Sequence, residues 1–146
     1  MVVVVNANIL ISATLNLNGK VVDLIFSNSS TVDFVVPAFI QTELKINEIK
    51  ICNENNISSV EFNQNILLLL TQILIINDDE ISDTIFKKAF ELTKNIDPKD
   101  TIYIALAISL DALFLTGDLK LLRALNRKGF KQLITPIDFQ QILKGL

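Results

Sequence analysis

A chain of 146 residues, half of them hydrophobic and 20% charged, can bury a core and is sized for a single domain over residues 1–146. It has no histidine, which removes the commonest general base, histidine triads and imidazole-dependent zinc sites, and its lone Cys52 permits no internal disulfide, favours a cytosolic setting and is a poor nucleophile without a histidine partner. The net charge of −3 argues against a polyanion binder as a whole, but three lysines face ten acids in residues 1–86 (net −7) and ten cations face six acids in residues 87–146 (net +4), a bias that suits either phosphate contacts or solvated helix faces.

Val2–Val5 is an unbroken β-branched run, as expected for a strand buried on both faces of a parallel sheet. A helix is expected from Asn8, with Ile9, Leu10, Ala13, Leu17, Val21, Leu24 and Ile25 at helical spacing and a break near Asn16–Gly19. Val32–Val36 reads as a second strand, with Pro37 in the first turn of a helix that runs from about Ala38 to Cys52. Ser58 and Glu61 have the spacing of a capping box ahead of a helix from Phe62 to Ile76, apolar nearly all round, which suits a packing helix or one that also meets a partner. Interrupted by Thr71 and Gln72, that run falls short of the roughly 20 residues a bilayer helix needs. The start of the chain carries no charged leader, so neither a signal peptide nor a membrane span is expected.

Asp79–Lys94 reads as an amphipathic helix. Asp97-Pro98-Lys99-Asp100 then opens another through Leu110, with Asp at the N-cap and Pro at the first helical position. Ala112–Leu115 is a third strand, ended by Thr116-Gly117-Asp118, and a helix follows to about Arg127. Beyond Gly129 a short strand near Gln132–Thr135 precedes a terminal helix started by Pro136. No repeat, linker or low-complexity tract interrupts this order. The fold class is therefore α/β, three layers with a parallel sheet of four to five strands between helices.

Taken singly, the acids have bland explanations. Asp97 and Asp118 are competent N-caps, Asp100 favours a helix dipole, and Glu43 suits a surface pairing with Asn47 or Lys50. Taken together they differ, because ligands bind outside the carboxyl ends of parallel strands and four polar points fall there. Asn6 and Asp118 follow strands, while Glu43 and Asp100 open helices over the same edge. Gathered acids repel one another unless a cation neutralises them. With no imidazole or paired thiol available, an oxygen-only set suits Mg²⁺ or Mn²⁺.

These segments, in this order, resemble the PIN-domain family, the metal-dependent ribonuclease fold of many toxin–antitoxin toxins. The family's strand with Asp-x-Asn is matched by Val5-Asn6-Ala7-Asn8, with Ser12 following. Its Pro-to-Glu-Leu helix is matched by Pro37 through Glu43-Leu44, its Asp-x-x-Asp by Asp97 through Asp100 with Ala105-Leu106-Ala107, and its Thr-Gly-Asp by Thr116-Gly117-Asp118. The departure is Asn6, where the family has an Asp.

The resemblance implies hydrolysis of RNA with Mg²⁺ or Mn²⁺ held by Asn6, Glu43, Asp100 and Asp118. Glu43, Asp100 and Asp118 are the expected catalytic residues, supported by Asn8, Ser12, Asp97 and Thr116. Lys120, Arg123 and Arg127 are candidates for RNA phosphate. It implies a toxin whose activity is impaired because Asn6 is neutral; the lone cysteine favours a cytoplasmic setting, and the apolar run Phe62–Ile76 suggests a homodimer or the docking of an antitoxin partner. The alternative reading is a non-catalytic PIN-like module that binds RNA or protein.

Overall fold

The computed structural model describes residues 1–145. Five strands form one parallel sheet in the order β3-β2-β1-β4-β5, where β1 is Val2–Val5, β2 Asp33–Pro37, β3 Leu74–Ile76, β4 Leu113–Leu115 and β5 Leu133–Ile134. The helices are α1 (Ala7–Leu15), α2 (Lys20–Asn28), α3 (Phe39–Asn55), α4 (Ser59–Leu70), α5 (Asp83–Thr93), α6 (Thr101–Leu110), α7 (Leu119–Arg127) and α8 (Pro136–Lys144). Single 3₁₀ turns at Asp78–Glu80 and Pro98–Asp100 precede α5 and α6.

Alternate strand residues point to opposite faces, yet Val3, Val4 and Val5 are all wholly buried, so both faces of the central strand are covered and the α/β/α expectation holds. Helix α6 lies across β1, β2 and β4 with α5 packed on it, while α1 packs with α2, α3 and α4. Phe34 of β2 meets Phe139 of α8 edge-on at 6.2 Å, closing the core on that side. Asn56 and Asp111 end α3 and α6 in the left-handed conformation, and Gly129 turns the chain after α7 at φ +88°.

Three expectations change. The helix expected over Phe62–Ile76 is α4, which stops at Leu70; Leu74–Ile76 is instead the edge strand β3, paired with Val35–Pro37. Short apolar runs do not distinguish strand from buried helix, and here the pairing with β2 decides. Helix α4 packs against α1 and α3, but only Phe62 and Leu69 are buried on it and Leu67 is 68% exposed. Pro37 closes β2 rather than opening α3, and Ala38 continues the ladder by donating to the Ile76 carbonyl at 2.8 Å. The segment from Asp79 splits into a turn and α5, whose N-cap is Ser82, its hydroxyl accepting from the Ile85 amide. The expected break at Asn16–Gly19 is present, and α1 and α2 are bent by 109° to each other. No single helix among the described residues is long and apolar enough to cross a membrane.

Candidate functional site

Connections from β1 run to β2 and β3 on one side, whereas β4 and β5 lie on the other, so the strand order reverses between β1 and β4. A crevice opens at such a switch point, at the carboxyl ends of the strands. Asn6 and Thr116 are the residues that follow those two strands. The Asn6 amide N–H donates to the Leu115 carbonyl at 3.0 Å, continuing the ladder, and its side chain caps α1, with Oδ1 accepting from the Asn8 amide at 2.9 Å. Its Nδ2 donates to Thr116 Oγ1 at 3.1 Å. Thr116 Oγ1 also accepts from the Asp118 amide at 3.1 Å, and Asp118 Oδ1 caps α7 by accepting from the Leu121 amide at 3.0 Å. One buried hydroxyl thus joins the ends of β1 and β4 to the start of α7.

Asp97 is the N-cap anticipated for it, with Oδ1 accepting from the Lys99 amide at 3.0 Å. The turn that follows brings Asp100 to the head of α6, where it is buried and makes no side-chain cap bond. Burial, followed by the charges of Asp97, Asp118 and Glu43, pushes its carboxyl up to about 7, with Lys99 pulling the other way. Acids from three separate segments therefore act on Asp100 at once. Glu43 is half-buried near the start of α3, and its Oε1 accepts from the Tyr103 hydroxyl at 2.6 Å. Burial raises the Glu43 carboxyl, while the Tyr103 bond and Lys99 lower it. The surface pairing considered for Glu43 is absent at its carboxylate: Asn47 donates to the Glu43 backbone carbonyl instead.

Asn8 and Ser12 are exposed, and Asn8 enters the site through its backbone N–H rather than its side chain. Lys120, Arg123 and Arg127 are exposed on α7. Three residues near the site escaped the sequence reading. Lys99 acts on both Glu43 and Asp100 by its charge, and it stood inside the Asp97–Asp100 motif. Tyr103 was not singled out within the helix through Leu110, although its spacing from Asp100 places both on one helix face. Asp78, whose Oδ1 accepts from the Phe39 amide at 3.4 Å and whose charge reaches Tyr103, lies just past β3, a strand hidden within the run taken for helix.

The donor chemistry fits a hard divalent ion: carboxylate oxygens with a buried member that its neighbours hold toward the protonated form. The set is not drawn together, however. Among the described residues no three acidic or cysteine side chains are grouped closely enough to hold a metal ion. Protein donors occupy one side-chain oxygen of Asn6, Glu43, Asp97 and Asp118. Asn6 differs from the others because its second group is an NH₂ already given to Thr116. A groove of about 410 Å³ between α2 and α8 contains none of these residues.

Thr116→Val tests the hydroxyl junction. Losing the acceptor leaves the buried Asn6 amide and the Asp118 N–H without their partner, so chemical denaturation should show a loss of about 1–3 kcal/mol. An unchanged midpoint would mean that water replaces the hydroxyl at no cost.

The fold and the sequence were also compared with known proteins. The crystal structure of VapBC2 from Rickettsia felis bound to a DNA fragment from their promoter is similar at a TM-score of 0.66, covering 92% of this chain and 97% of that one at 17% identity, a likeness of fold. No curated protein matches the sequence. The family model of the PIN domain matches residues 4–133, nearly the whole of the sheet and the segments that carry the acids. The chain belongs to the PIN-domain family.

Proposed function

We propose that the chain is a metal-dependent endoribonuclease of the PIN family, the toxin of a toxin–antitoxin pair, impaired in its present form by Asn6. The observation that carries this reading is Asp100, buried at the head of α6 under the combined charge of Asp97, Asp118 and Glu43. A protein keeps such an arrangement at a cost unless a cation offsets it. Glu43, Asp100 and Asp118 would hold Mg²⁺ or Mn²⁺, with Asn6 at the fourth position. A bound ion supplies a more acidic water and neutralises charge on the phosphate oxygens. The chain's own residues do the rest. Thr116 fixes the ends of β1 and β4, Asp97 shapes the turn that presents Asp100, and Lys99 brings positive charge to where an RNA phosphate would lie. Similarity of fold to VapBC2 supports the toxin role and an antitoxin partner.

We place the protein in the cytoplasm as a single domain over residues 1–146, acting as a homodimer. The dimer is supported by exposed apolar side chains on α4 and β3, Leu67, Leu68, Leu74 and Ile75 among them. Light scattering should return twice the 16.3 kDa chain mass; a strict monomer at high concentration removes the dimer.

Two observations favour the second reading, a non-catalytic module that binds RNA or protein. The Asn6 side chain is hydrogen-bonded as an amide through both its oxygen and its nitrogen, and the acids are not grouped to hold an ion as they stand. Incubating total cellular RNA with the chain and with its Asn6→Asp variant, under Mg²⁺, Mn²⁺ and chelator, separates the two. Cleavage by the variant that chelation stops supports the nuclease. No cleavage under any metal hands the site to the binding module.

A further inference from the structure

We infer that the outward face of α7 binds the phosphate backbone of single-stranded RNA through Lys120, Arg123 and Arg127, and that it does so without a metal ion. The choice of RNA rests on the proposal above, but the surface does not need the nuclease and would serve the binding module equally. The three cations stand three and four residues apart, so they share one face of the helix. All three are exposed, whereas Leu121 and Leu125 bury the opposite face. At about 1.5 Å per residue the row extends about 10 Å along the helix axis, long enough to meet neighbouring phosphates of one strand. It begins two residues after Asp118, whose carboxylate caps α7 at the switch point, and leads away from the acidic edge.

The fold itself gains little from these charges. Among the described residues the one ion pair joins Lys94 to Glu91 of α5 at 2.8 Å, and it includes no cation of α7. Helix α7 contains no acidic residue. Like charges three and four apart on a helix repel, so Lys120 with Arg123, and Arg123 with Arg127, weaken it. Lys120 also stands in the first turn, at the positive end of the helix dipole, and only Arg127, in the last turn, is placed where the dipole favours a cation. Lys128 is engaged elsewhere, its Nζ donating to the Leu92 carbonyl at 2.9 Å. On α3, by contrast, Lys45 and Lys50 stand among Glu43, Glu48 and Glu54, the mixture of a solvated face. An external polyanion offsets the whole α7 row at once. A protein partner would find little to bury, because Leu119 is the one large apolar side chain exposed on α7 and lysine is depleted at the centre of protein interfaces.

Fluorescence anisotropy of a labelled oligouridylate with the full chain, in chelator and across a salt series, tests this. Each phosphate of a single strand that a cation neutralises adds about −0.7 to the slope of log affinity against log salt. Three contacts therefore give a slope of about −2, and Lys120→Gln, Arg123→Gln and Arg127→Gln should each reduce its size by about 0.7. The triple variant should bind about 10-fold more weakly or worse at low salt, while Lys20→Gln on α2 changes nothing. Oligocytidylate should bind as oligouridylate does, because backbone contacts read no bases. Glutamine is a good helix former and relieves the repulsion, so the triple variant should melt no lower than the native chain.

A triple variant that binds oligouridylate as tightly as the native chain, or with the same salt slope, overturns the inference. So does one that melts well below the native chain, since the row would then serve the fold. Polyglutamate competing as well as oligouridylate also overturns it, by giving the face to an acidic protein. Every arm runs in chelator, so the result is separate from that of the nuclease, which cleavage by Asn6→Asp under Mn²⁺ decides. A chain that binds RNA through α7 and never cuts it keeps the inference and loses the nuclease. One whose Asn6→Asp variant cuts RNA equally well with and without the three cations keeps the nuclease and loses the inference.

Discussion

Asn6→Asp is expected to cleave RNA with Mg²⁺ or Mn²⁺ at least about 100-fold faster than the chain with Asn6, and to bind Mn²⁺ about 10–100-fold more tightly. The lower bound follows because even an outer hydrogen-bond partner of a metal ligand is worth about 10–100-fold, and a ligand's own charge should be worth no less. The substitution demands little of the fold. One oxygen of the new carboxylate can still accept from the Asn8 amide, and the other can accept the Thr116 hydroxyl proton where the amide now donates to that hydroxyl. Thr116 Oγ1 retains its bond from the Asp118 amide. What changes is charge, added beside Asp118 at the switch point. Without metal the variant should therefore be less stable, and Mn²⁺ should reverse the loss by binding only the folded state. Adding Asp100→Asn or Asp118→Asn should abolish the gained cleavage. Equal Mn²⁺ affinities for the chain with Asn6 and for its Asn6→Asp variant would place this position outside the ion's reach.

The second large effect belongs to Asp100 and is read by stability rather than activity. Its folded carboxyl titrates at about 7 against an ordinary 3.8, so between these values the folded state holds a proton that the unfolded chain has released. For an acid raised in this way, stability is fully present below about 4 and falls as pH rises through about 7. The gap corresponds to about 4 kcal/mol at most. Asp100→Asn keeps the shape and cannot ionise. In chelator at pH 8 it should be more stable than the native chain by a few kcal/mol, with the two converging toward pH 4. Denaturant titrations at the two pH values check this. A variant no more stable at pH 8 would mean that the carboxylate is solvated or already neutralised.

Much of this was legible in the chain itself. The β-branched run Val2–Val5 could only be a strand buried on both sides, and Asp97, Pro98 and Thr135-Pro136 announce helix starts by capping chemistry alone. The polar residues at strand ends and helix starts identified the edge where a site belongs, because parallel topology brings those ends together. Local rules act over a few residues, and they held where the decisive interaction was local.

The remainder was settled by contacts between distant segments. Leu74–Ile76 became a strand through its pairing with β2, and Leu67 and Leu68 stayed exposed because no layer covers that side of α4. Pro37 was absorbed into β2 because the ladder continues one residue past it. Tyr103 reaches Glu43 across 60 positions of sequence and Asn6 reaches Thr116 across 110. Residue types alone marked Asn6 as one charge short of a metal site. Only the fold decided that its amide nitrogen is given to Thr116, since a hydrogen-bond partner at the end of another strand is set by how the strands pack and not by the residues beside it.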